Sequence, residues 1–329
     1  MSPLNTDEKT TIIVVGDAND FAKVLLLSRA AYKTQINVIP IQSENESLNP
    51  MSINDDILFV IDPRFSRTEA QNRIIQYGVS IGARWCSLKN YRDHKRGYAE
   101  INNIHDLLEW LEYSNDQQEN IHYAKIKCFT RRMTALLLLI TTLPLLIIIA
   151  LFIKFTSPGP VIYKQIRVGF KGKKFQLLKF RSMHLDSEKT GPQWSTGDAD
   201  PRTFAFGRFL RKTHLDELPQ LWNIVKGELC FIGPRPERPE FHDLLEKVIP
   251  HFSARIRVKP GVTGWAQLLA GYASSVEDSK RKIAHDLFFI KNKNTALQMR
   301  IIKKTIQKMT TETISSVYRY LVKFISREN

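Results

Sequence analysis

Two neighbouring carboxylates, Asp216 and Glu217, stand in the run Leu215-Asp216-Glu217-Leu218-Pro219-Gln220-Leu221-Trp222, which reads as a helix start with its stop at Gly227. Arg208, Arg211 and Lys212 come just before them. The plain reading of an acid at such a place is a helix cap. The chemical reading starts from charge: a helix N-terminus and nearby cations keep a carboxylate ionised. An ionised, positioned carboxylate is what covalent capture of a phosphoryl group requires. Adjacent acids also suit Mg²⁺ held against a diphosphate.

Cations suited to phosphate lie on either side in sequence. Gly233-Pro234-Arg235-Pro236 is a rigid turn presenting one guanidinium, which fits bidentate phosphate contact. Lys179 and Arg181 close a basic run with Arg167, Lys171, Lys173 and Lys174, interleaved with apolar and aromatic residues. Such density clamps phosphates and lipid head groups alike. RIRVKPGVTGWAQ (255–267) places Gly261 and Gly264 around a turn before Trp265, read either as a base or sugar contact or as a tight loop with a packed tryptophan.

The element that must position this chemistry is the run between Arg131 and Lys154, where Met133–Ile153 carries 21 residues without a charge. As one helix it is about 32 Å long, enough for a hydrocarbon core of about 30 Å. Both flanks are basic, and no acid occurs from Asn120 through Leu185. Positive flanks favour the cytoplasmic side. Pro144, near the middle, removes a helix hydrogen bond and favours a kink, with Thr141 and Thr142 placed to bond the freed carbonyls. A re-entrant helix-break-helix over 131–156, hinged at Pro144, satisfies length, charge and proline together; a kinked spanning helix is the competing reading. Ser157-Pro158-Gly159-Pro160 then forms a turn at the membrane surface. At the far end, residues 297–327 form a basic amphipathic stretch, with Ile301, Ile302, Met309, Leu321 and Phe324 on its apolar side. It suits either helices lying in an anionic interface or a helix packed on its own domain.

Residues 1–115 read as a separate α/β domain of Rossmann-like type. Strands are expected at 11–15, 36–40, 57–61 and 83–88, helices at 21–32 and 67–78, and INNIHDLLEWLEY as a closing helix. Its first loop, Gly16-Asp17-Ala18-Asn19-Asp20, has one glycine and two acids, so a bound dinucleotide is not expected. Regulation or self-association into a homodimer is the expected role, with residues 116–130 as linker. Through residue 120 there are 12 Lys and Arg against 17 Asp and Glu, a net of −5; the remaining 36 against 16 give +20. So basic a second part binds nucleic acid, anionic lipid or phosphorylated substrates, and the apolar run favours lipid over nucleic acid. Three scattered cysteines, Cys86, Cys128 and Cys230, have no metal spacing and fit a reducing compartment. The polar, acidic MSPLNTDEKTT carries no secretory signal.

SPGPVIYKQIRVG, GKKFQLLKFRSM, GRFLRKTHLDELPQLWNIVKGE, GPRPERPE and VKPGVTGWAQ occur in that order within one region. On these motifs the stretch from about residue 126 to 302 closely resembles the bacterial sugar transferases, the monotopic polyprenyl-phosphate phosphoglycosyl transferases. The resemblance implies a mainly helical (α+β) catalytic domain over 157–329 at the cytoplasmic face of the inner membrane. It implies transfer of a sugar 1-phosphate from a UDP-sugar to undecaprenyl phosphate, with Mg²⁺ as cofactor, opening exopolysaccharide, capsule or O-antigen synthesis. It places the catalytic pair on Asp216 and Glu217, with Asp216 as nucleophile. Arg211 falls near the lipid phosphate, Arg235, Lys179 and Arg181 at phosphates, and Asp286 at a further acid. The family's helix usually breaks at Ser-Pro, whereas this chain has Leu143-Pro144. A catalytically inactive membrane scaffold or regulator is the alternative reading.

Overall fold

Consecutive β-branched and aromatic residues, buried on both faces, build the sheet that opens the chain. In a computed structural model, residues 11–15, 38–40, 57–62, 69–101, 104–115, 121–188, 191, 200–271 and 275–325 are described, and they divide into two units, 1–99 and 100–329. The first unit holds strands β1 (Thr11–Val15), β2 (Val38–Pro40), β3 (Ile57–Ile61) and β4 (Arg84–Ser87), all parallel, in the order β2-β1-β3-β4. Alternate side chains fill opposite faces, as strand periodicity requires. Ile12, Val14, Leu58 and Val60 join Cys86 and Tyr91 on one face, while Ile13, Val15, Ile57 and Phe59 form the other. Helices α1 (Glu69–Ser80) and α2 (Leu88–Arg96) belong to this unit. Ser87 caps α2 by accepting from the Asn90 N–H, and Gly97 ends it in the left-handed region. The helix expected at 21–32 and the Gly16–Asp20 loop lie outside the described residues.

The unit boundary falls between Ala99 and Glu100 rather than at residue 115. Helix α3 (Ile104–Asn115), read from sequence as the closing helix of the first domain, packs on the second unit. Its Trp110 is buried and donates its indole N–H to the Leu287 carbonyl at 3.1 Å. Amphipathic periodicity tells that a helix has a buried side, but not which neighbour covers it.

Helix α4 (Ile121–Thr156) takes in most of the expected linker and continues through Pro144. No loop interrupts it there, so a return of the chain to its starting side has to come from bending at the proline. The Thr141 and Thr142 hydroxyls donate to Leu138 O, and Thr142 reaches Leu139 O as well; neither serves Ile140, the carbonyl that Pro144 leaves without its donor. Threonine back-bonding of this kind itself favours a bend. One stripe, Ala135, Leu139, Thr142, Leu146, Ile149 and Ile153, is buried or half-buried, whereas Leu137, Ile140, Leu143, Ile147, Leu151 and Phe155 stand exposed. Ala135 shares a core with Phe175, Leu177 and Ile224, while Ile149 and Ile153 share one with Phe180, Phe204 and Leu210. Both ends of the apolar run of α4 therefore pack on the same unit.

The rest of that unit starts with an antiparallel hairpin, β5 (Ile162–Val168) and β6 (Lys174–Phe180), paired from Ile162↔Phe180 to Val168↔Lys174. Helix α5 (Ala205–Lys212) leads to a 3₁₀ turn at Leu215–Glu217 and helix α6 (Gln220–Lys226), which packs along α4 and stops at Gly227 as the sequence suggests. Short parallel strands β7 (Cys230–Ile232) and β8 (Gly261–Thr263) flank helix α7 (Pro239–Val248) and a 3₁₀ segment, Phe252–Arg257. Helices α8 (Trp265–Leu269), α9 (Val276–Lys291) and α10 (Thr295–Ile325) follow. Gly233 and Gly261 cross backbone to backbone, leaving no room for a Cβ on either.

Candidate active site

The two carboxylates sit on the 3₁₀ turn, before helix α6 rather than at its cap. Pro219 occupies the cap position of α6, so neither acid has a capping role. His214, at φ 56° in the left-handed region, turns the chain out of α5 and into the turn. Its Nε2 lies 2.9 Å from Glu312 Oε2, which ties the turn to helix α10. The turn opens onto a cleft of about 660 Å³ whose walls include Lys179, Arg211, Asp216, Glu217 and Arg235.

Within the cleft the carboxylates have different surroundings. Glu217 Oε1 accepts from Lys179 Nζ at 2.7 Å and from an Arg235 guanidinium N–H at 2.9 Å. Burial works to raise its pKa, but Arg235 and Lys179 outweigh it and hold the carboxyl far below the usual range. Asp216, 6% exposed, shifts the other way. Burial pushes its pKa up and the Glu217 charge adds to that, while Lys179, Arg211 and Arg235 pull it back. The sequence reading had the cations and a helix N-terminus dominate at Asp216; desolvation is the larger effect. Lys179 is lowered by its own burial, partly offset by Glu217. Neighbouring acids driven apart in proton affinity are a recurrent sign of divided roles in catalysis.

Five of the residues singled out from sequence thus meet in one place. Arg181 faces the same cleft, yet its guanidinium donates to the Ser157 and Pro158 carbonyls at 2.6 Å each. It fastens the segment after α4 to the end of β6. Asp286 is 1% exposed and bonds Arg255 at 2.7 Å, apart from the cleft wall. Trp265 is buried against Phe288, with Arg300 and Lys304 over its ring at 5.5 Å each, so it packs and does not present a face to a base or sugar. Helix α10 likewise packs at its start, through Ile301 and the Thr263–Thr305 hydroxyl pair, while Met299, Ile306 and Ile314 stay exposed.

Sequence reasoning placed Arg167 in a phosphate-clamping basic run and did not single out Arg255; the contacts of both shape the loop that carries Arg235. Arg255 donates to the Arg235 carbonyl at 2.8 Å, and Arg167 to that of Pro236 at 2.9 Å. Both lie near Glu237, which is itself held at a pKa of about 2: burial would raise it, but Lys282, Arg255 and Arg167 overcome that. The signal available in the sequence was Glu237, an acid set among arginines in GPRPERPE.

Fold and site together define a globular helical unit, fastened to a long apolar helix, that presents a cation-flanked carboxylate pair in an open cleft. Its sequence places it further: residues 122–312 match the bacterial sugar transferase family, and the chain belongs to that family. A UDP-N-acetylgalactosamine-undecaprenyl-phosphate N-acetylgalactosaminephosphotransferase of Aeromonas hydrophila is 41% identical over 189 residues, 57% of this chain and 44% of the relative. A UDP-glucose:undecaprenyl-phosphate glucose-1-phosphate transferase of Xanthomonas campestris pv. campestris is 38% identical over 56% of this chain and 38% of the relative. A putative undecaprenyl-phosphate N-acetylgalactosaminyl 1-phosphate transferase of Bacillus subtilis is 43% identical over 42% of this chain and 77% of its own length. The chain thus spans about two fifths of the first two relatives and most of the third.

Proposed function

We propose that this chain transfers a sugar 1-phosphate from a UDP-sugar to undecaprenyl phosphate, releasing UMP, as the opening step of a bacterial surface polysaccharide. The observation that carries the reading is the pairing of a buried Asp216 with a Glu217 pinned between Lys179 and Arg235. An Asp216 oxygen attacks the sugar-proximal phosphorus, the bond to the UMP oxygen breaks, and UMP departs with the electron pair. A phosphosugar-aspartate remains. An oxygen of undecaprenyl phosphate then attacks that phosphorus, the bond to Asp216 breaks, and the carboxylate is restored. The attacking lipid phosphate is already an anion and needs no base. Glu217, held ionised, therefore organises Lys179 and Arg235 for the transferring phosphate. Arg211, whose charge also acts on Asp216, adds a further cation to the cleft.

Mg²⁺ fits this donor set in one way. Among the described residues no three His, Cys, Asp or Glu converge. Asp216 and the second oxygen of Glu217 form a two-carboxylate set, the kind that holds Mg²⁺ when substrate phosphates and water complete the shell. When bound there the ion would offset charge on the diphosphate.

The membrane reading rests on α4, the one helix among the described residues long and apolar enough to enter a bilayer. Packing of both ends of its apolar run on one unit supports residence in a single leaflet with Pro144 as the bend, and the basic flanks favour the cytoplasmic face. The exposed apolar side chains of α10, Met299, Ile306 and Ile314, fit further contact with that interface.

Asp216→Asn decides the chemistry. With a UDP-sugar and undecaprenyl phosphate, the variant is expected to release no UMP while remaining in the membrane fraction; turnover by the variant would end the nucleophile assignment. Incubating the wild-type protein with radiolabelled UDP-sugar alone is expected to label Asp216. No label with any UDP-sugar would favour a non-catalytic scaffold.

A further inference from the structure

Helix α3 precedes the region matched to the family, yet it grips the catalytic unit at one spot. Trp110, 2% exposed, donates to the Leu287 carbonyl at 3.1 Å, and the Arg257 guanidinium lies 5.6 Å from its ring centre. Leu287 adjoins Asp286 on α9, and Arg257 stands two residues from Arg255 on the 3₁₀ segment. Trp110 therefore clamps both flanks of the buried Arg255–Asp286 pair, which meets at 2.7 Å. Arg255 also donates to the Arg235 carbonyl at 2.8 Å and to Glu237 at 3.3 Å. Arg235 in turn reaches Glu217 at 2.9 Å.

We propose that Trp110 is a positioning residue for the reaction, acting through Asp286 and Arg255 to fix the backbone from which Arg235 reaches Glu217. The assignment rests on the proposed transferase reading. Each link is a direct contact between groups on different elements: α3 to α9, α9 to the 3₁₀ segment, that segment to the Arg235 loop, and the loop to the catalytic turn. Arg255 is held between two carboxylates, Asp286 and Glu237, and removing Arg255 would leave Asp286 buried without its cation. The backbone carbonyl of Arg235 is thereby set by residues that never touch substrate.

The test is a double-mutant cycle on the full-length membrane protein, read as UMP release at varied concentrations of both substrates. Trp110→Ala is expected to lower kcat about tenfold, with KM for each substrate held within about twofold, since what is lost is transition-state placement. Trp110→Phe keeps an aromatic ring near Arg257 while losing the N–H and part of the ring volume; it is expected to fall between wild type and Trp110→Ala, and it guards against a variant that fails to fold. In an Arg235→Lys background, Trp110→Ala is expected to add no further loss, because coupled residues depart from additivity. Losses that multiply in the double variant, or an unchanged kcat in both Trp110 variants, would overturn the relay. The wild-type phosphosugar adduct on Asp216 separates the cases: adduct with multiplicative losses removes the relay alone, and absence of adduct removes the function with it.

Discussion

At the scale of single residues, two cations take different duties according to what they meet. Lys179 and Arg181 are two positions apart and both border the cleft, but Lys179 meets a carboxylate and Arg181 meets two backbone carbonyls. Lys179→Gln is expected to lower turnover about 100-fold, the scale of losing one preorganised charge at a reacting phosphoryl group; UMP release measures it. Arg181→Gln is expected to leave the chemistry largely intact and to lower the melting temperature, since it frees the end of α4. The sequence made Asp216, Glu217, Lys179, Arg211 and Arg235 legible because their motifs are local. It did not distinguish Lys179 from Arg181, because a phosphate and a carbonyl attract the same cation. Arg255 and Asp286 meet from 31 positions apart, and no local spacing records such a pair.

Among the elements, α4 decides where the site works. Its apolar stretch, its proline and its basic flanks were all readable, and so was the stop at Gly227 that ends its partner α6. What periodicity withheld was contact: which side of α4 faces protein, and that α3 belongs with the second unit. On the one-leaflet reading, Phe129→Cys and Phe155→Cys, both at exposed positions flanking the apolar run, share the cytoplasmic side. Neither is expected to react with a membrane-impermeant thiol reagent outside intact cells, and both are expected to react after permeabilisation. Reaction of one alone from outside would restore a spanning helix.

For the whole molecule, the ion network around Glu237 joins β5, the Arg235 loop, the 3₁₀ segment and α9. Its response to acid has a definite sign. The folded pKa, about 2, lies below the ordinary 4.5, so the stabilisation is complete above pH 4.5 and is lost as pH falls toward 2. Melting temperatures of the detergent-solubilised protein are expected to drop across that window, and the drop is expected to shrink in Glu237→Gln. An equal drop in the variant would place the acid sensitivity elsewhere.

On the proposed one-leaflet transferase reading, the seating of both ends of the apolar run of α4 on one unit has a kinetic consequence. A site held at a fixed height above one leaflet meets its lipid partner by lateral diffusion, a search in two dimensions. The concentration that governs turnover is then the number of polyprenyl phosphates per unit area of membrane. Diluting the lipid within the bilayer is then expected to slow turnover, whereas diluting the vesicles in buffer is expected to leave it unchanged.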